Sequence, residues 1–94
     1  MDTRVAVMSI IVENRDTTET LNHILHEYGQ FIIGRMGIPY RPKSISIISI
    51  VIDAPQDTIS ALSGKIGKLP GVSIKTAYSS VKSPGAGEGG TSNT

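Results

Sequence analysis

Ile45-Ser46-Ile47-Ile48-Ser49-Ile50-Val51-Ile52 is the stretch on which the fold turns. Read with period two, it carries Ile45, Ile47 and Val51 on one side and Ile48, Ile50 and Ile52 on the other, so a strand here is apolar on both faces. Val5–Val12 behaves the same way, with Val5, Val7 and Ile11 set against Ala6, Met8, Ile10 and Val12. Strands of this kind have to be buried twice, ordinarily between two layers of helices. Only two helical patterns accompany them, about enough to cover one face. The other face is expected to meet a second subunit.

The chain has 94 residues. A domain of that size buries only about 60–65% of its unfolded surface and is marginal alone, which also favours assembly. Phe31, Tyr28, Tyr40 and Tyr78 are the aromatic residues, so the core has to be aliphatic and stacking on nucleobases is poorly provided for. With no cysteine, a disulfide framework, a thiolate nucleophile and a zinc ribbon are excluded. A formal charge of +1 lacks the basic excess of a free-standing nucleic-acid binder. The N-terminus shows no signal-peptide pattern and no apolar run approaches membrane-spanning length. A cytoplasmic protein without membrane or direct nucleic-acid contacts is therefore expected.

After the first strand, Asn14-Arg15-Asp16 leads into a helix whose apolar positions are Leu21, Ile24, Leu25 and Tyr28. Asp16 with Glu19 reads as its start and Gly29 as its stop. A second strand follows at 31–38. Pro39-Tyr40-Arg41-Pro42-Lys43 breaks the pattern over a length suited to a hairpin into the third strand at Ile45. Pro55 suits the first turn of a second helix, whose buried stripe is Ile59, Leu62, Ile66 and Leu69, and Pro70-Gly71 ends it. Val72–Tyr78 makes a fourth strand with Ser73 and Lys75 alternating against Val72, Ile74 and Thr76, as an edge strand should. From Lys82 to Thr94 the Gly/Ser-rich sequence has no apolar periodicity and is expected to be a disordered tail. The expected organisation is one domain over 1–81 followed by that tail.

The order βαββαβ with two right-handed crossovers predicts an α+β, ferredoxin-like fold. Its sheet is four-stranded and antiparallel, in order 4-1-3-2, with both helices on one face. The two most apolar strands become central, and the edges hold Arg35 and Lys75. The loop after strand one, the hairpin after strand two and the turn after helix two then share one end of the sheet. Arg15, Arg41, Lys43 and Lys68 converge there, and a small anionic ligand is the class expected at this basic end.

Ser60, Gly64 and Gly67 form a stripe of small residues on helix two. Two interior glycines cost about 1 kcal/mol each relative to alanine, so compensation by close packing or by a ligand is expected. Ligand-binding candidates are thus Arg15, Arg41, Lys43, Lys68, Ser60, Gly64 and Gly67, and interface candidates are Ile47, Ile48, Arg35 and Met36. His23 and His26 share the polar side of helix one, but two ligands do not make a metal site, and a solvated helix face accounts for them. Gly34-Arg35-Met36-Gly37 matches the clamp of KH domains only in letters, because it lies in a strand. No Ser/His/Asp arrangement, phosphate-binding loop or catalytic carboxylate pair is evident.

Several segments together resemble the regulators of the iron-only hydrogenase system. They are Ile11-Val12-Glu13-Asn14-Arg15, Leu25-His26-Glu27-Tyr28-Gly29, Ile33-Gly34-Arg35-Met36-Gly37-Ile38-Pro39-Tyr40, Val51-Ile52-Asp53-Ala54-Pro55, and the run from Gly64 to Tyr78. The resemblance covers Arg4 to Val81. It implies a fold similar to ACT domains and to the C-terminal domain of the nickel-responsive regulator, which oligomerise and sense small ligands. Neither a DNA-binding module nor the cysteine of that regulator's metal site is present in this sequence, so nickel is not expected as a ligand. The resemblance implies a regulatory module, not an enzyme, that senses a small ligand or binds a partner protein in iron-only hydrogenase expression or maturation. A small enzyme or metal-handling accessory protein with an intersubunit site is the alternative, and the sequence identifies no cofactor.

Overall fold

A computed structural model describes residues 2–80. The expected tail lies outside the described residues. The elements run β1 (Arg4–Val12), α1 (Thr18–Glu27), β2 (Ile32–Tyr40), β3 (Ile45–Ala54), α2 (Gln56–Gly67) and β4 (Val72–Tyr78), with short 3-10 turns at Arg15–Thr17, Gly29–Phe31 and Arg41–Lys43. The strands form one sheet in the order β2-β3-β1-β4, every neighbouring pair antiparallel. This is the expected ferredoxin-like order, counted from the other edge.

Period-two alternation divides the residues of β1 and β3. Ala6, Met8, Ile10 and Val12 of β1 and Ile48, Ile50, Ile52 and Ala54 of β3 are buried with Leu21 and Leu25 of α1 and Ile59, Leu62 and Ile66 of α2. Residues paired across antiparallel strands share a face, so Val72 and Ile74 of β4, opposite Val12 and Ile10, close the same core. The core is aliphatic throughout apart from Met8. Leu69, the last position of the expected α2 stripe, packs at its margin.

Local chemistry departs from the expected punctuation at three places. Asn14 caps the 3-10 turn that leads into α1, its Oδ1 accepting from the Asp16 amide at 2.9 Å, while α1 itself starts after Thr17 without a side-chain cap, so Asp16 is not the cap. Gly29 does not stop the helix by a left-handed turn. Among the described residues only Ser44 (φ 54°) and Gly71 (φ 70°) have positive φ, and α1 instead tightens into the 3-10 turn that Gly29 begins. β2 runs through Pro39 to Tyr40, two residues beyond its expected end. Proline is tolerated there because β2 is an edge strand, where the ladder does not need every N–H.

The β2–β3 register shifts between Ile32 and Gly34. One extra residue in a strand reverses which side the following residues occupy. Ile32 lies opposite Ile52 on the helix side, and beyond the shift Arg35, opposite Ile50, lies on that side too. Arg35 there donates to Asn22 Oδ1 of α1 at 2.6 Å. Met36, opposite Ser49, is turned to the side the helices leave bare.

Candidate functional site

The two features with functional potential are the bare sheet face and a cleft at one end of the sheet. Pairing lays the bare face out in rows. Ile38, Ile47, Ile11 and Ser73 form one row, Met36, Ser49, Ser9 and Lys75 the next, and Gly34, Val51, Val7 and Ala77 a third. Aliphatic side chains here are held in water: Val7 is 39% exposed, Ile11 40%, Ile38 45% and Met36 56%. Asp53, opposite Val5, and Lys75, opposite Ser9, are the charged members of the strand pairs that make up this face.

The interface candidates therefore separate. Ile47 and Met36 lie on the bare face. Ile48 is only 5% exposed, inside the core, and Arg35 lies on the helix side, so neither is available to a partner covering the bare face. The physical reason is alternation for Ile48 and the register shift for Arg35.

At the end of the sheet, the loop after β1 is held against the α2–β4 turn. The Glu13 amide donates to the Gly71 carbonyl at 2.7 Å, and Thr17 Oγ1 donates to the Pro70 carbonyl at 2.8 Å. On the hairpin side of this junction a cleft of about 140 Å³ opens. It is lined by Val12, by Arg15 and Thr18 from the segment after β1, and by Pro39, Tyr40, Arg41, Ser44, Ile45 and Ser46 of the β2–β3 hairpin. Ser44 makes the hairpin turn possible by taking a left-handed conformation, its amide donating to the Arg41 carbonyl at 3.0 Å. Among the described residues no carboxylate lines the cleft. Arg15 and Arg41 have no side-chain hydrogen bond or ion pair among the described residues.

Arg15 and Arg41 are thus brought together. Lys43 stands in the same 3-10 turn as Arg41, and Lys68 follows the end of α2, but neither lines the cleft. Ser60, Gly64 and Gly67 belong to a different surface. A Cβ at Gly64 would meet nothing within 4 Å, and one at Gly67 would meet only Ile74 Cγ2 at 3.6 Å, so the glycines are not there to let α1 approach. Ser60 accepts from Gln56 Nε2 at 3.3 Å. His23 lies 3.9 Å from Glu27 on the exposed side of α1. Among the described residues no group of three or more His, Cys, Asp or Glu could hold a metal ion, and no helix is long and apolar enough to cross a membrane.

Sequence reasoning missed Thr18, Tyr40, Ser44 and Ser46 as cleft residues. A hydroxyl carries no signal of its own, and only the hairpin geometry sets these beside the arginines.

Together these features define a small α+β domain with a ferredoxin-like sheet, helices on one face, and a basic cleft at the sheet's end. The chain belongs to the TM1266-like family, described as "Iron-only hydrogenase system regulator, putative", whose model matches residues 4–76. It is similar to the solved structure of the uncharacterized protein TM1266 from Thermotoga maritima, with 35% sequence identity and a TM-score of 0.79 over 82% of this chain and 98% of that one. No curated protein matches the chain.

Proposed function

We propose that this chain is a non-catalytic regulatory module of the iron-only hydrogenase system that works by binding, and that it does so as a homo-oligomer built on the bare sheet face. The family supports the regulatory role. The observation that carries the assembly is the bare face itself, with its exposed Val5, Val7, Ile11, Met36, Ile38 and Ile47. Strands of nine residues at about 3.4 Å each, four abreast at about 4.8 Å, give a footprint of roughly 30 by 19 Å, on the order of 570 Å² in projection. That is at the top of the ~300–600 Å² range of monomer patches. Accessible area exceeds projected area, so the face comes near the ~800 Å² per partner of a stable interface. A second copy is the occupant favoured by chemistry. The face is aliphatic, with a central row of Ser9 and Ser49 that can hydrogen-bond to its own image, and it offers no large charged patch for an unlike partner.

Sedimentation velocity of the full chain at micromolar concentration tests this. A dimer or larger assembly that Ile47→Lys dissociates is expected. A stable monomer overturns it.

A further inference from the structure

We propose that the cleft between Arg15 and Arg41 binds the phosphate group of a small anion, either inorganic phosphate or a phosphate monoester. This reading rests on the cleft and not on the self-association proposed above.

The cleft has two arginines, Arg15 and Arg41, in its lining, and among the described residues no carboxylate joins them there. Both arginines are exposed, and neither is occupied by another side chain among the described residues, so both remain available to an anion. Thr18, Ser44 and Ser46 add neutral hydrogen-bonding groups to the same lining, beside the apolar Val12 and Ile45. Arginine forks bind oxyanions through paired, charge-assisted hydrogen bonds. One fork satisfies a carboxylate, whereas two arginines in one lining match the several oxygens of a tetrahedral dianion.

Size narrows the ligand further. A volume of about 140 Å³ is a handful of waters at ~30 Å³ each, and falls short of the ~300–1,000 Å³ pockets that enclose drug-sized molecules. Phosphate fits inside, and the rest of a monoester would extend through the open side. The first free amide of the helix start does not contribute, since the Asp16 N–H is already taken by Asn14 Oδ1. The acidic chain neighbours Glu13 and Asp16 do not line the cleft and offset diffuse attraction to this end, so recognition has to come from direct contact with the forks.

The test is an NMR amide-shift titration of the full chain at low salt with inorganic phosphate, glycerol phosphate, acetate and chloride at matched ionic strength. Saturable shifts at Arg15, Thr18, Arg41 and Ser44 are expected with phosphate. Arg15→Ala and Arg41→Ala should each weaken binding about tenfold, with the remaining spectrum unchanged as the check on folding. Arg15→Lys, which keeps the charge but removes the fork, should still weaken it several-fold. Lys68→Ala should leave the affinity within about twofold, since it removes a charge from the same end without touching the cleft. Glycerol phosphate binding more tightly than phosphate identifies a monoester as the ligand, and equal binding identifies the ion; either supports the site. Acetate binding as well as phosphate overturns the proposal, as does a loss on Lys68→Ala equal to that on Arg15→Ala, or the absence of saturable shifts around the cleft.

Discussion

Ile47 and Ile48 are neighbours in the chain and belong to opposite sides of the sheet. Ile47 is 37% exposed in the row with Ile11 and Ile38, whereas Ile48 is 5% exposed opposite Ile10 in the core. The same substitution should therefore fail in different ways at the two positions. Ile48→Lys places a charge among aliphatic side chains with no partner, and should leave the chain unfolded by circular dichroism. Ile47→Lys should retain cooperative unfolding, while its sedimentation shows a smaller species than the parent. Equal loss of folding in both variants would show that the bare face contributes to the monomer's own core.

Thr17 offers a sharper test of how the loop after β1 is anchored. Its hydroxyl donates to the Pro70 carbonyl at 2.8 Å, and the residue is 5% exposed. Thr17→Val keeps the shape and removes the donor, leaving the carbonyl without its partner, for a loss of about 1–2 kcal/mol. Thr17→Ser keeps the hydrogen bond and deletes one methyl, for about 0.8 kcal/mol. Urea denaturation should rank valine below serine. The reverse order would mean that packing of the methyl group, not the hydrogen bond, holds the loop.

What could be read from the chain follows from which interactions are periodic. The alternation in β1 and β3 separated Ile47 from Ile48, the α2 stripe came from Ile59, Leu62 and Ile66, and β4 has the expected bounds Val72–Tyr78. The register shift at Gly34 was not legible in its consequence. A glycine marks where a bulge is cheap, but only pairing with β3 shows that Arg35 and Met36 exchange sides there. Asp16 does not cap helix one, because the backbone enters a 3-10 turn first, capped by Asn14, and α1 then starts at Thr18 without a side-chain cap. At the basic end, topology brought Arg15 and Arg41 to one cleft. Lys68, after α2, and Lys43, in the same turn as Arg41, share that end without lining the cleft, since topology fixes which loops meet but not which residues of a turn face the space between them. Ser44 was invisible as a cleft residue, since its left-handed φ of 54° is not a serine preference.

The opposite end of the sheet is fastened by Arg4. Its guanidinium lies 4.5 Å above the centroid of the Tyr78 ring and donates to Gln56 Oε1 at 2.7 Å, while Gln56 Nε2 donates to the Tyr78 hydroxyl at 2.9 Å. These contacts join the start of β1, the start of α2 and the end of β4. All are exposed, so Arg4→Ala should lower global stability by only about 0.5–1 kcal/mol. The local effect should be larger: the Ser79 amide, just beyond β4, which donates to the Val5 carbonyl at 2.8 Å, should lose protection against hydrogen exchange before the amides of β4. Unchanged protection there would show that the backbone pairing needs no help from Arg4.

Gly64 and Gly71 predict opposite signs for the same substitution. Gly71 has φ +70°, and an added Cβ would lie 2.7 Å from Asn14 Cβ and 3.1 Å from the Asn14 nitrogen. Two separate costs arise there, the left-handed backbone and a clash with the residue that caps the first helical turn. The clash cannot be relieved by a side-chain rotation, because Cβ and the backbone nitrogen move only with the chain. Shifting Asn14 would also strain the hydrogen bond from the Glu13 amide to the Gly71 carbonyl. Gly71→Ala should therefore destabilise by about 1–3 kcal/mol. Gly64 lies inside α2, and an added methyl group there would have nothing within 4 Å. Gly64→Ala thus removes backbone freedom from the unfolded chain at no steric cost and should stabilise by about 0.5–1 kcal/mol. Thermal unfolding of the two variants beside the parent gives both signs in one experiment. A destabilised Gly64→Ala would mean that another molecule, such as a second copy of the chain, packs against that stretch of α2 in solution.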